Sequence, residues 1–272
     1  MLREERLWHI TERLTRERKV LSSELAAEFA LTPASVRLDL AELERRGVAR
    51  RVYGGAVLAT TDSDHEALAL REAHINERLD QQKAEKEAIG RAAAALIRDG
   101  ETVMVDGGTT TYEVCRHLAD KRDLTIVTCA VNDLWQELAT KPDLQIFLTG
   151  GFLRAESLSM VGEAAETALR GVRANKAILG IDGISPEHGL TTLNFLEASI
   201  KKRMIEGSQE LIIVADHTKF GRVCLIPVAP ARGTIIVTDG GVDRSCVAQL
   251  REQGVRIIIA EPESGHENGS PK

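Results

Sequence analysis

Short apolar runs that alternate with helical patterns fill most of the chain beyond residue 85, and they constrain the fold more than any other feature. Each run is four or five residues long, which suits a buried strand better than a helix. Strands that alternate with helices pair into a parallel sheet covered by helices on both faces. We therefore predict an α/β domain, with strands at residues 102–105, 124–128, 145–149, 177–181, 211–215, 235–238 and 256–260.

The first predicted strand leads into a turn rich in glycine and threonine, within the stretch TVMVDGGTTTYEVCRHL at residues 102–118. A helical pattern follows at once, so backbone N–H groups and a helix N-terminus would converge on an anion there. Glycine lets the backbone approach a ligand, and threonine hydroxyls add donors. The pattern predicts a phosphate-binding turn made of Asp106, Gly107, Gly108, Thr109, Thr110 and Thr111. An ordinary turn with threonine caps and no ligand is the alternative.

Further polar and glycine residues follow other predicted strands. Ligands of parallel α/β sheets bind outside the carboxyl ends of the strands, so these residues are candidates for the same site. Glu197 and Lys201 stand four apart on a predicted helix and share one face, although an exposed ion pair is the commoner reason for that spacing. The further candidates are Gly151, Asp182, Gly183, Glu197, Lys201, Asp216 and Lys219.

The first 58 residues carry a different pattern, with three short helices followed by a β-hairpin. Ser22 or Ser23 is placed to cap the second helix, and Thr32 with Pro33 to begin the third. Gly47 is placed to end the third helix, before the predicted hairpin. Three helices with a tight turn before the third, then a hairpin, predict a winged helix-turn-helix.

The exposed face of the third helix suggests contact with DNA. It lies opposite an apolar stripe formed by Val36, Leu40 and Leu43, and it carries small and basic side chains that suit the major groove. The alternative is a helical bundle with a solvated charged face, but such a face does not explain the apolar Leu38. The candidate DNA-binding residues are Ser22, Thr32, Ala34, Ser35, Arg37, Leu38, Arg45, Arg50 and Arg51.

Charge is divided unevenly along the chain of 272 residues. Residues 1–58 hold 11 Lys and Arg against 9 Asp and Glu, which leaves 24 against 32 for the remainder. A mildly basic head on an acidic body is typical of a DNA-binding domain joined to a larger one. We predict four segments: the head at 1–58, a linker and lead-in helix at 59–84, the α/β domain at 85–262 and a flexible tail at 263–272.

Several classes of protein are disfavoured by the sequence. No apolar run approaches the roughly 20 residues of a membrane span, and the N-terminus lacks a secretory pattern. The four cysteines are widely spaced and the seven histidines show no ligand spacing, so we expect reduced thiols, no metal site, no cofactor and a cytoplasmic location. The dinucleotide fingerprint G-x-G-x-x-G is missing, which argues against a redox-sensing repressor.

The motifs of both domains together resemble one family. The stretch SVRLDLAELERRGVARRVYGGAV is similar to the helix-turn-helix and wing of DeoR-family bacterial transcription regulators. The motifs DGGTTT, GIDGIS with GLTT, and ADHTKFG resemble the sugar-phosphate sensor domain of that family. The resemblance implies a Rossmann-like sensor similar in fold to ribose-5-phosphate isomerase, and a repressor whose affinity for operator DNA changes with a phosphorylated sugar or polyol. Because operators are usually pseudo-palindromic, we expect a homodimer or homotetramer, and we expect no membrane partner and no catalytic residues.

Two positions depart from the family pattern. Leu38 stands where the family usually has arginine, so we expect a thymine contact and one fewer released counterion. Cys129 stands where an asparagine is usual, so the effector is expected to differ from the common ones.

The alternative function is a sugar-phosphate isomerase fused to a DNA-binding head. Isomerisation needs a base near the substrate carbon, and the nominal candidates are Asp106, Asp182 and Glu197.

Overall fold

Three helices and a small antiparallel sheet form the N-terminal head in this computed structural model, which describes residues 3–17, 19–46, 48–52, 54–58 and 75–262. The wing has the strand order β1-β3-β2, so the predicted hairpin gains a third strand, and the winged helix-turn-helix prediction is confirmed. The head elements are α1 (Arg3–Glu17), β1 (Lys19–Leu21), α2 (Ser22–Glu28), α3 (Pro33–Arg45), β2 (Ala49–Val52) and β3 (Gly55–Leu58).

The head is held together by an apolar core and one buried carboxylate. Leu7 and Ile10 of α1 pack against the predicted stripe of α3, all fully buried. Asp39 of α3 is also buried, and it accepts hydrogen bonds from Arg3 Nε (3.1 Å) and Arg6 Nε (2.6 Å). A buried carboxylate needs such partners, so α1 is tied to the recognition helix by charge as well as by packing.

The predicted helix caps have different outcomes. Thr32 Oγ1 accepts a hydrogen bond from the Ser35 N–H (3.2 Å) and Pro33 opens α3, as predicted. The cap predicted at Ser22 or Ser23 is wrong, because Leu21 precedes α2 and no side chain caps it. The Ser22 N–H instead donates to the Gly54 carbonyl (2.8 Å), so pairing with the wing replaces the cap.

The second part of the chain begins with α4 (Ile75–Leu79), which lies in the predicted lead-in region, and α5 (Lys83–Ala94), most of which lies in the predicted α/β domain. The predicted linker before residue 75 and the tail from residue 263 fall outside the described residues. The remaining elements are β4 (Thr102–Val105), α6 (Thr109–Arg116), β5 (Leu124–Thr128), α7 (Leu134–Leu138), β6 (Leu144–Leu148), β7 (Phe152–Arg154), β8 (Ser159–Val161), α8 (Glu163–Leu169), β9 (Ala174–Gly180), β10 (Gly183–Ser185), β11 (Gly189–Thr192), α9 (Phe195–Gly207), β12 (Ser208–Val214), a 3-10 turn (His217–Lys219), β13 (Ile226–Ala229), β14 (Ile235–Asp239), α10 (Arg244–Glu252) and β15 (Arg256–Ala260).

A seven-stranded parallel sheet is the centre of this domain, with the order β15-β14-β12-β9-β4-β5-β6. All seven predicted strands are present, with boundaries shifted by a few residues, and the α/β prediction is confirmed. The chain builds outward from β4 to β6, then returns to the other side of β4 with β9. The neighbours β4 and β9 therefore form the switch point of the topology, where α/β sheets open a crevice for ligands.

Two smaller antiparallel sheets were not predicted. Strands β10, β11 and β13 form one, and β7 with β8 forms the other. Residues 183–192 therefore form a paired hairpin. Gly183 allows its two strands to approach closely, since a Cβ at this position would lie 2.5 Å from Thr191 Oγ1.

Helices α5 and α6 pack with their backbones close together at Gly90. A Cβ at this position would lie 2.6 Å from the carbonyl carbon of Glu113 in α6. The absence of a side chain at Gly90 thus sets the spacing of the two helices. Because α6 begins at the predicted phosphate-binding turn, this contact also fixes α5 beside that turn.

Replacing Gly90 by alanine should destabilise the protein. Overpacking of a tight contact costs about 1–3 kcal/mol and exceeds the gain of up to about 1 kcal/mol in helix propensity. We expect a net loss of about 1–2 kcal/mol in the free energy of unfolding, measured by urea denaturation. Gly240→Ala is the control, because nothing lies within 4 Å of a Cβ there. Equal stability of both variants would contradict the close packing.

Candidate functional site

A cavity of about 150 Å³ opens at the switch point, at the carboxyl ends of β4, β9 and β12. It contains residues from the predicted turn, from later strand ends, from α9 and from the lead-in region, which are far apart in the sequence. The residues that line it are Arg78, Gln81, Gln82, Lys86, Gly107, Gly108, Thr109, Thr110, Thr111, Ser157, Gly180, Ile181, Asp182, Glu197, Lys201, Val214, Ala215, Asp216, Thr218 and Lys219.

The glycine- and threonine-rich turn forms one wall of this cavity. Asp106 to Gly108 form the turn itself, and Thr109 to Thr111 are the first residues of helix α6, whose first N–H groups have no acceptor within the helix. The turn can approach its neighbours closely because a Cβ on Gly107 would lie 1.9 Å from Ser159 Oγ. Donors at a helix N-terminus and the positive end of the helix dipole favour an anion here.

A buried ion pair lies behind the turn. Lys201 Nζ of α9 donates to Asp106 Oδ2 at the end of β4, and both side chains are buried. Burial favours the neutral form of Lys201, but Asp106, Glu197 and Asp182 outweigh it and raise the pKa of the ammonium. Lys201 therefore carries a positive charge at the floor of the cavity. Burial also raises the pKa of its partner Asp106, although the Lys201 ammonium opposes that shift.

The other carboxylates of the cavity have specific partners. Asp182 Oδ2 accepts hydrogen bonds from Thr192 Oγ1 (2.6 Å) and the Leu193 N–H (3.2 Å). Burial opposes ionisation of Asp182, but Thr192 and Lys201 outweigh it and hold the pKa below its usual value. Asp216 accepts from the N–H of Thr218 (3.0 Å) and from its hydroxyl.

Glu197 is tied to an arginine outside the cavity wall. Its Oε1 accepts a hydrogen bond from Arg154 Nη1 at 2.8 Å, and both side chains are largely buried. Glu197 and Lys201 are therefore not an exposed i,i+4 ion pair. Each has another ion-pair partner, and both line the cavity.

Cations among the lining residues provide charge for an anionic ligand. Lys86 of α5 donates to the Arg78 carbonyl, and burial lowers the pKa of its ammonium to about 8, with Asp216 opposing the shift. Within the described part of the chain, Arg78 Nε is buried and has no acceptor. With Lys219, these side chains add positive charge to the cavity that the threonine turn also lines.

The structure brings most predicted site residues together and leaves two apart. Gly107 to Thr111, Asp182, Glu197, Lys201, Asp216 and Lys219 line the cavity, and Asp106 lies directly behind it. Gly151 and Gly183 do not line it. A Cβ on Gly151 would lie 2.7 Å from the Val161 carbonyl, so this glycine serves packing of the chain.

Sequence reasoning missed the contributions of the lead-in region and of the turn after β7. The missed residues are Arg78, Gln81, Gln82, Lys86, Ser157 and Thr218. Arg78, Gln81 and Gln82 follow no predicted strand, so the expectation that ligands bind at the carboxyl ends of strands could not identify them. The ADHTKFG motif already contained Thr218, whose hydroxyl was a findable signal.

Cys129, the second departure from the family pattern, lies behind the cavity. Its Sγ donates to Asp106 Oδ1 at 3.7 Å, and burial raises the pKa of the thiol. The thiol thus contacts the carboxylate that holds Lys201.

The candidate DNA-binding residues form an exposed face of the head. Ala34, Arg37 and Leu38 are exposed, and Leu38 with 66% of its surface accessible has no apolar cover. Arg45 pairs with Glu42 (2.6 Å) and Arg51 with Glu44 (2.6 Å) while both arginines stay largely exposed. Thr32 and Ser35 contact each other at the start of α3. The side chain of Arg50 lies outside the described part.

Comparison with known proteins identifies the family. Residues 6–62 match the DeoR-like helix-turn-helix domain, and residues 81–240 match the DeoR C terminal sensor domain. The chain therefore belongs to the DeoR family of transcription regulators.

Relatives named as transcriptional repressors match the chain over most of its length. The chain is 32% identical to the "Putative aga operon transcriptional repressor" of Escherichia coli O157:H7, over 94% of this chain and 93% of the relative. It is 35% identical to the "Transcriptional repressor AccR" of Agrobacterium fabrum, over 90% and 92%. It is 33% identical to the "Glycerol-3-phosphate regulon repressor" of Escherichia coli K12, over 80% and 82%.

Solved structures add a distant similarity of fold. The chain is similar to ribose 5-phosphate isomerase A from Methanocaldococcus jannaschii, with a TM-score of 0.35 and 15% identity over 53% of this chain and 55% of that one. A similarity of this size supports no conclusion about chemistry.

Among the described residues, no helix combines the length and apolar character needed to cross a bilayer. They likewise contain no group of three or more His, Cys, Asp and Glu side chains arranged to hold a metal ion.

Asp106→Asn should strongly destabilise the protein, because it leaves the Lys201 charge buried without a counterion. Breaking a buried ion pair from one side costs about 3–5 kcal/mol. Urea denaturation should show this loss for Asp106→Asn, and the double variant Asp106→Asn, Lys201→Met should recover part of it. A single variant as stable as the native protein, or a double variant less stable than the single, would contradict the buried pair.

Proposed function

We propose that the protein is a DNA-binding transcriptional repressor of a carbohydrate or polyol catabolic operon, and that a phosphorylated sugar or polyol bound in the cavity modulates its affinity for operator DNA. The observation that carries the proposal is the cavity itself, which is lined by a helix N-terminus, by Lys86 and Lys219, and by Arg78, whose buried Nε has no acceptor within the described part of the chain. Charge-assisted hydrogen bonds from such groups bind phosphate.

The carboxylates of the cavity suit the rest of the ligand. The carboxyl oxygens of Asp182 and Asp216 are acceptors, and sugar hydroxyls are donors for them. Acceptors beside a phosphate site favour a ligand that carries both a phosphoryl group and hydroxyls. The names of the relatives, which include an aga operon repressor and a glycerol-3-phosphate regulon repressor, agree with this class of effector.

We propose a regulator rather than an enzyme. Two of the three nominal bases for isomerisation are engaged in ion pairs, Asp106 with Lys201 and Glu197 with Arg154. A carboxylate oxygen that already accepts a hydrogen bond from a cation is not free to take a proton from a substrate carbon. The whole-length relatives named as repressors support the same choice.

On the DNA side, we propose that the exposed face of α3 enters the major groove of a pseudo-palindromic operator in the cytoplasm. Helix-turn-helix proteins read two half-sites as symmetric oligomers, so a homodimer or homotetramer is proposed. An exposed apolar patch on the edge strand β6 and on β7 supports self-association, and it consists of Phe147, Leu148, Phe152 and Leu153.

Thermal-shift measurements with matched sugar pairs test the effector class. Glycerol 3-phosphate, ribose 5-phosphate and glucose 6-phosphate are compared with glycerol, ribose and glucose, because a ligand of the folded state raises the melting temperature. We expect a shift from at least one phosphorylated compound and none from its parent.

Lys219→Met should weaken binding by roughly 10–100-fold, the value of a charged hydrogen bond, while Lys202→Met outside the cavity should not. Equal effects of both variants would count against the cavity.

Binding of the phosphorylated compound should weaken as the pH rises through about 8, where the buried Lys86 loses its proton. The phosphoryl group is already doubly ionised above pH 7, so the fall in affinity reports on the protein. We expect about a tenfold loss between pH 7 and pH 9.5 by calorimetry, the value of one charged contact. Lys86→Arg, which stays charged over this range, should abolish the loss. The same fall in both proteins would show that Lys86 is not responsible.

A further inference from the structure

The hairpin of β7 and β8, residues 152–161, contacts the cavity, helix α4 and the head. Ser157 in the turn of this hairpin lines the cavity. The Glu156 carbonyl accepts a hydrogen bond from the Ile75 N–H (2.7 Å) at the start of α4, the helix that carries Arg78. Arg154, at the end of β7, lies close to Trp8 of the head.

Arg154 joins cavity residues to a head residue through one guanidinium group. Its Nη1 donates to Glu197 Oε1 (2.8 Å) and to Ser157 Oγ (3.4 Å), and both acceptors line the cavity. The guanidinium carbon lies 6.0 Å from the centre of the Trp8 ring in α1. Such a distance is within the range of a cation–π contact. The side chain is 5% exposed, and its Nη2 also lies 3.5 Å from Glu156 Oε2 in the same hairpin.

Helix α9 makes a second connection from the same wall of the cavity. Glu197 and Lys201 face the cavity, while Phe195 at the start of the helix lies under Arg46 of the head, with 4.7 Å between the guanidinium carbon and the ring centre. Buried apolar side chains of the head and of the sensor domain form one continuous cluster. A shift of α9 therefore acts on the head by direct contact.

We propose that Arg154 is a positioning residue that transmits occupancy of the cavity to the DNA-binding head. A ligand hydroxyl in the cavity competes with Arg154 as the donor to Ser157 and Glu197, and the guanidinium then leaves the Trp8 ring. This inference rests on the proposed effector site, and it adds the route by which that site reaches DNA.

The geometry also assigns a direction to the switch. With Arg154 held by Glu197, the head is docked and the recognition face around Leu38 stays exposed for DNA. Binding of ligand loosens the docked head, so the spacing of two heads on an operator is no longer fixed. The ligand therefore lowers operator affinity.

The two tryptophans make this testable in solution. Trp135 is buried in the sensor domain and donates to the Ala130 carbonyl (3.0 Å), so Trp135→Phe leaves Trp8 as the reporter of head docking. In that background, Arg154→Gln should increase quenching of Trp8 by acrylamide without any ligand. The control Arg173→Gln, at an exposed arginine of the same domain, should leave quenching unchanged. Unchanged quenching in Arg154→Gln would overturn the proposal, and Arg154→Lys should restore part of the native signal.

The ligand arm uses glycerol 3-phosphate, ribose 5-phosphate and glucose 6-phosphate with an operator duplex selected from random sequences. Where one of them binds by calorimetry, it should increase Trp8 quenching and lower operator affinity by roughly 5-fold or more, the range of allosteric coupling. Arg154→Gln should keep sugar binding but reduce the effect on operator affinity to less than about twofold. Binding with no response at Trp8 would overturn this inference alone. No binding of any of the three would remove the effector site and this inference together.

Discussion

The buried pair of Asp106 and Lys201 is the interaction on which the rest of the site depends. It joins the end of β4 to the middle of α9 across the switch point of the sheet. Two buried charges are tolerated only as a pair, so α9 cannot move far from the strand end without exposing one of them. The same pair directs Glu197, one turn earlier on the helix, into the cavity. The pair therefore shapes the pocket more than it adds stability.

Helix α9 belongs to two environments at once. One face completes the cavity, and its first turn lies against the head through Phe195. Arg154 contacts both Glu197 and Trp8, so the cavity and the head are connected by direct side-chain contacts through Arg154 as well as through α9. Packed elements of this kind shift between discrete arrangements rather than deform continuously, which is what a ligand-controlled regulator requires.

Much of the fold could be predicted because its elements are specified by short stretches of sequence. Each of the seven strands is a short apolar run, and the turn at Gly107 stands directly after one of them. The partners of the site could not be predicted, because Arg78, Arg154 and Ser157 reach the cavity only through tertiary packing. Gly183 shows the opposite error, since a glycine after a strand suggested ligand contact, whereas its role is close approach to Thr191.

Reciprocity between sugar and DNA is the most direct measurement of the proposed coupling. A ligand that lowers operator affinity by a given factor must itself bind the operator complex more weakly by the same factor. Calorimetric titration of the phosphorylated compound into free protein and into the operator complex measures that factor. We predict weaker binding to the complex, by the factor found for the operator. Equal affinity for free and DNA-bound protein would contradict the coupling.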